Sequence, residues 1–328
     1  MAGLIAQFIL IALVVVVAGT LLARFADQVG LITGMGRSMA GVVLLALATS
    51  LPELLVGCKA AMIPAVDLTL GDLLGSSLFN LLILAVLDLC TKTHGAALSK
   101  AASAHALSAV SGILLTAVVL FFLLVKFPGT FLRLGPGSWF LLITYLFCLR
   151  LIFFDQQYAL SQAPQAAETP TMSRAKSLTG YLLSAAVIFV AAPKLASVAS
   201  ELADISGLGR TIVGTLFVAF ITSLPEAVTT LTALRMGATD LAIGNIFGSN
   251  AFNMLIFVGV DFFYDGSLFA AAAPTHAVTA AMVIFVTAVA IQGMLYRAEK
   301  RLWIVEPDAA LLVVLVVAAL SVVFWMSH

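Results

Sequence analysis

The residues in this sequence best placed to do chemistry are two glutamates set in apolar surroundings. Glu53 closes the string TSLPE at 49–53, and Glu226 closes the same string at 222–226. A carboxylate at mid-bilayer costs ~2.5–3.5 kcal/mol or more, so by default such a group is functional. Proline inside a helix removes one hydrogen bond and releases the carbonyl four residues back. Those carbonyls belong to Ala48 and Ile221. In lipid, freed backbone groups are tolerated only against protein or a polar cavity. Carbonyls, the hydroxyls of Thr49, Ser50, Thr222 and Ser223, and a carboxylate together form a set of hard oxygen donors. Such donors suit Na⁺, Ca²⁺ or Mg²⁺ rather than soft metals.

A second string follows each glutamate: GDLLGSSLFN at 71–80 and GNIFGSNAFN at 244–253. On a helix, positions i, i+4 and i+8 share a face. Asp72, Ser76 and Asn80 therefore form one polar stripe, and Asn245, Ser249 and Asn253 form another. Glycines one residue ahead of the stripe (Gly71, Gly75, Gly244, Gly248) permit close helix approach. A Gly/Ser/Asn stripe alone reads as packing between helices. Beside a Pro-Glu kink in both halves, it reads as the lining of a site. The whole pattern is one repeat, 41–84 and 214–257, matched without a gap over 44 positions at an offset of 173.

The elements that hold these residues follow from composition. The chain is 62% hydrophobic and 10% charged, with 16 basic and 16 acidic residues and a mean hydropathy of +1.15. A soluble domain is nearer ~25% charged, so the chain is expected to be an all-α polytopic membrane protein. No basic block points to nucleic acid. Cys58, Cys90 and Cys148 are scattered in apolar sequence without metal or redox spacing, as packing residues are. The first apolar run has no basic residue before it and reads as a retained helix, not a secretory signal.

Ten apolar runs fit a bilayer span: about 4–23, 39–62, 68–90, 104–125, 137–155, 178–200, 211–235, 240–264, 275–296 and 308–326. The repeat assigns five to each half, 1–155 and 178–328, with 156–177 as a flexible cytoplasmic linker. Five is odd, so the second half enters the membrane from the opposite side, an inverted repeat of the kind found in secondary transporters. Of the 16 Lys and Arg, only Lys59, Lys126, Arg133, Lys194 and Arg210 flank even-numbered loops. The excess at odd-numbered loops places these in the cytoplasm and both termini outside.

Other function classes fit less well. No GxSG, paired GxGD or HExxH is present, and the four histidines sit at predicted helix ends or at the terminus, so an intramembrane enzyme is not expected. Channels usually gain symmetry by oligomerising around a pore, whereas an inverted repeat in one chain points to alternating access.

TSLPE twice, each followed by G-x-x-G-S-x-x-F-N, resembles the α-repeats of the cation/Ca²⁺ exchanger superfamily, Na⁺/Ca²⁺ exchanger type. The resemblance implies an antiporter that exchanges Na⁺ for Ca²⁺ in a bacterial or archaeal inner membrane. It implies no cofactor and no protein partner; the transported ions are what binds. Glu53 and Glu226 would be the principal ligands, joined by Thr49, Ser50, Ser76, Asn80, Thr222, Ser223, Ser249 and Asn253. Backbone oxygens near Ala46 and Ala219 belong to the same set, and spans 1 and 6 would be a pair that slides across the site. The K⁺-dependent branch carries Asp where this chain has Asn253, and the proton-coupled branch carries GNAVE around its glutamates. Three positions depart from the pattern: Asp72 for Asn, Ser77 for the Asn of GSN, and Lys59, opposite Thr232 in the other copy. They leave open a proton-coupled exchanger, or one for another divalent cation, on the same fold.

The topology has a direct test. Cysteine introduced as Ser327→Cys is expected to react with an impermeant thiol reagent in intact cells, and Gln165→Cys is not. The reverse pattern would overturn the orientation.

Overall fold

The computed structural model describes residues 2–62, 66–90, 105–162, 169–206, 220–296 and 307–327. Among them the chain is helical throughout: α1 (Ala2–Thr33), α2 (Gly36–Met62), α3 (Val66–Cys90), α4 (Ala106–Val125), α5 (Pro136–Gln162), α6 (Arg174–Ile205), α7 (Leu224–Arg235), α8 (Thr239–Phe263), α9 (Thr275–Tyr296) and α10 (Pro307–Ser327). Among the described residues, eight of these are long and apolar enough to cross a membrane. The chain is an all-helical multi-pass membrane protein.

Several helices outrun the apolar runs that announce them. Apolar length measures the bilayer core, whereas a helix continues as long as its backbone bonds are met. So α1 runs on to Thr33, past Arg24 and Asp27, and the stretch read as a linker at 156–177 is helical at both its ends. At 1.5 Å per residue, the 32 residues of α1 and of α6 each span ~48 Å. That exceeds a ~30 Å core, so each helix either tilts or runs on beyond it. The two pack side by side through small residues at helical spacing, Ala18, Leu22 and Ala26 on α1 against Ala185, Ile188 and Ala192 on α6.

The centre belongs to α8. Its apolar window is 83% buried, against 17% for α1. Helices α2, α3, α4, α5 and α7 all pack on it. Contact with α2 is backbone to backbone. A Cβ on Gly244 would lie 2.6 Å from the Ser38 carbonyl oxygen, and one on Gly248 would lie 2.5 Å from that of Val42. The facing segment of α2, Ala40–Leu45, is a π-helical turn.

Loop contacts sort the helix ends into two faces. On one, Asp261 accepts from the backbone N–H of Gly135 (2.6 Å) and of Leu268 (2.7 Å), and Lys126 donates to Ala272. On the other, Asp27 pairs with Arg37 at 2.6 Å, and Gln28 accepts from Thr171. The histidines read as bystanders have partners. Asp67 at the start of α3 lies 3.0 Å from His276 at the start of α9, and Asp240 at the start of α8 lies 3.4 Å from His105 beside α4.

Gly248→Ala is expected to destabilise the protein by about 1–3 kcal/mol, the usual cost of overpacking. Gly3→Ala, with nothing within 4 Å, is expected to be neutral. Aggregation temperature in detergent compares them; equal values would mean that the α2–α8 contact is loose.

Candidate functional site

Four helices carry the expected ligands. The π-turn ends at Leu45, and the α-helix that follows presents Ala46, Thr49, Ser50 and Glu53 on successive turns, continuing through Pro52. In the second half the geometry differs. Residues 220–222 are helical, Ser223 breaks the helix, and Leu224 restarts it with Pro225 in its first turn. The kink therefore falls before the proline in α7, where Pro is tolerated, and one π-turn upstream of it in α2. Ala219 lies outside the described residues.

The carboxyl side chains are buried, Glu53 at 4% exposure and Glu226 at 2%. They lie within Coulombic range of each other, and Glu226 is within reach of the Thr49 and Ser50 hydroxyls. Thr49 donates to the Leu45 carbonyl at 3.0 Å, stands 3.4 Å from that of Ala46, and lies 3.3 Å from the Ser249 hydroxyl on α8. Thus one half's TSLPE turn meets the other half's glycine-serine stripe. Ser76 is buried on α3, one turn before Asn80, and Thr222 lines the same cavity as Glu53.

Buried polar atoms are normally satisfied. Among the described residues eleven buried side-chain atoms have no partner, and six of them belong to expected ligands. Glu53 Oε2, Glu226 Oε2, Ser50 Oγ, Ser223 Oγ, Asn80 Oδ1 and Asn253 Oδ1 are all buried without a hydrogen-bond partner. Every one is an oxygen. Their arrangement around two carboxylates can hold small hard cations stripped of much of their water. Among the described residues no cluster of three or more His, Cys, Asp or Glu could hold a resident metal.

Sequence reasoning missed the residues that aim these oxygens. Asn250 accepts from Asn80 Nδ2 at 2.9 Å and donates to the Ser77 carbonyl at 3.2 Å. Asn80 is thereby fixed amide-outward, with its oxygen toward the site. The only sequence trace is the GSS/GSN difference itself. Asn245, read as part of the lining stripe, is likewise anchored by its amide, which donates to Thr229 and Thr230, both at 2.9 Å, while its Oδ1 is buried without a partner. Asp72 is half-buried and lines the cavity beside Glu53, and no ion pair joins it to the exposed Lys59 among the described residues. Cys58 and Cys148 are free.

Known proteins agree with this layout. The family model described as "Sodium/calcium exchanger protein" matches residues 3–154 and 176–327. The inner membrane protein YrbG of Escherichia coli K12 is 29% identical over 231 residues, 67% of each chain. The sodium/calcium exchanger MaX1 of Methanosarcina acetivorans is 34% identical over 119 residues, 34% of each chain. Among solved structures, the sodium-calcium exchanger NCX_Mj soaked with Na⁺ and Sr²⁺ has the same fold. Its TM-score is 0.69 at 19% identity, and 97% of each chain is covered. A family match that covers both halves, over a fold that buries TSLPE twice at its centre, gives the conclusion: the chain belongs to the sodium/calcium exchanger protein family, a family of membrane transporters.

Proposed function

We propose that the chain is a secondary antiporter that exchanges Na⁺ for Ca²⁺ by alternating access at the Glu53/Glu226 site. The observation that carries this reading is the set of six buried oxygens without partners on Glu53, Glu226, Ser50, Ser223, Asn80 and Asn253, three from each repeat. With Asn80 and Asn253 both neutral amides, the centre carries two formal negative charges. One Ca²⁺ or two Na⁺ balance them, which is the arithmetic an exchanger of these ions needs.

The proposed architecture is ten spans in two inverted halves, with both termini outside. Its support is a pattern of swapped contacts. Helix α1 packs on α7 and α6 on α2; α3 packs on α9 and α10, and α8 on α4 and α5. Asp67 and Asp240, matched positions of the repeat, pair with His276 and His105 on the matched helices α9 and α4. The paired long helices α1 and α6 are the proposed moving body, sliding over the site through their alanine-rich face.

Na⁺-loaded proteoliposomes provide the test. Uptake of ⁴⁵Ca²⁺ is expected when the outer Na⁺ is diluted and is expected to collapse without the Na⁺ gradient. Uptake driven by a pH gradient alone would replace Na⁺ coupling by proton coupling. Glu53→Gln or Glu226→Gln removes one of two buried carboxylates and is expected to weaken Ca²⁺ binding by about 2–5 kcal/mol, on the order of 10²-fold or more. Full exchange by either variant would take that residue out of the site. Because Asn253 adds no charge, exchange is also expected to persist when choline replaces K⁺, and its loss would contradict the charge count.

A further inference from the structure

One cavity joins the glutamate site to the protein's exterior. It encloses about 380 Å³ between α2, α3 and α6, with Glu53 and Thr222 among its lining residues. Leu68, 67% exposed, stands at its mouth, near the face where α2 ends and α3 begins. Between mouth and glutamate lie Thr69 and Asp72, with Ser197 and Ser200 contributed by α6. Among the described residues no basic side chain lines it. Asp72 is close enough to Glu53 for their charges to repel, a repulsion that a cation between them relieves. Thr69 is 2% exposed, and its hydroxyl oxygen has no partner.

The matched position in the other half shows why this carboxylate is free. Asn245 is fully buried because Thr229 and Thr230 on α7 hold its amide. At the offset of 173, those two threonines correspond to Val56 and Gly57 on α2. Neither offers a hydroxyl. Gly57 instead admits the Thr69 methyl, which would approach to 3.1 Å of a Cβ placed there, and the Thr69 hydroxyl has no partner. Two linked differences thus separate the halves: the clamp is missing from α2, and the residue that it would hold is charged.

Resting on the antiport reading, we propose that Asp72 and Thr69 form a cation-docking subsite on the route to Glu53, present on one face of the membrane only. A carboxylate in a low-dielectric cleft raises the local concentration of cations, and the effect is lost as salt screens it. The subsite hands ions inward to Glu53 across a cavity wide enough for them to keep part of their water. Among the described residues the matched place on the opposite route holds the clamped neutral amide of Asn245, so the exchanger has unequal apparent affinities on its two faces.

Right-side-out and everted membrane vesicles separate the faces. At low ionic strength, Asp72→Asn is expected to raise the apparent KM for Ca²⁺ about tenfold in one vesicle type only, with maximal rate kept. The difference is expected to vanish in high choline chloride. Asp72→Glu is expected to restore the wild-type KM, and Thr69→Val to raise it where Thr69→Ser does not. An unchanged KM in both vesicle types, an equal rise in both, or a fall in maximal rate at constant KM would overturn the proposal. The antiport reading fails separately, if wild-type vesicles show no Na⁺-driven Ca²⁺ uptake. Equilibrium ⁴⁵Ca²⁺ binding to the detergent-purified full chain then decides the subsite by itself. Weaker binding by Asp72→Asn at low salt supports it, and equal binding overturns it.

Discussion

A carboxylate buried in a membrane is sustained only by what comes to neutralise it. Two of them, Glu53 and Glu226, sit within range of one another at the centre of this chain. No basic side chain forms an ion pair with either among the described residues. Neutral hydroxyls and amides can orient such a pair, but only cations remove its repulsion. The surrounding structure keeps this demand unmet by protein. Asn80 turns its amide away to Asn250, Thr49 spends its proton on the Leu45 carbonyl, and the remaining lone pairs face inward.

Holding so many oxygens without partners requires a rigid frame. The close approach of α2 and α8 supplies it, because Gly244 and Gly248 let two backbones touch where any side chain would hold them apart. The outer pair α1 and α6 is built on the opposite principle. Its contact with the core is mostly alanines and short aliphatics, Ala40 and Ala48 on α2 beside Ala18, Ala191 and Ala192, with one directed bond from the Tyr181 hydroxyl to the Leu44 carbonyl at 2.8 Å. Such a smooth surface has few interdigitated knobs to hold one register, as shear motion between packed helices requires. Rigid centre and smooth flank are the features that the proposed alternating access would use.

Much of this was legible in the sequence, for a physical reason. An intramembrane carboxylate is too costly to be incidental, so Glu53 and Glu226 announce themselves, and the prolines beside them mark the opened turns. Helix positions were legible because apolar length tracks bilayer thickness. The ends were not, since α1 and α6 continue past their apolar runs. Nor was the π-turn at Ala40–Leu45, whose cause is tertiary: it lies where α2 meets the glycines of α8. Nor was the anchoring of Asn245: a polar stripe shows which residues share a face, and the hydroxyls that hold its amide, Thr229 and Thr230, belong to another helix.

The differences between the two copies complete the account. Each half could in principle orient the other's asparagine through the residue after its Gly-Ser. Asn250 does this for Asn80, but the matched Ser77 turns its hydroxyl to Leu73 and does nothing for Asn253. The polar clamp on α7 likewise has no counterpart on α2, where Val56 and Gly57 leave Asp72 facing the cavity. The second half therefore supplies both the lock on Asn80 and the clamp on Asn245, and the first half supplies the free charge. A duplicated motif makes two access routes possible. It is the unequal placement of locks and charge that would let an exchanger treat the two sides of its membrane differently.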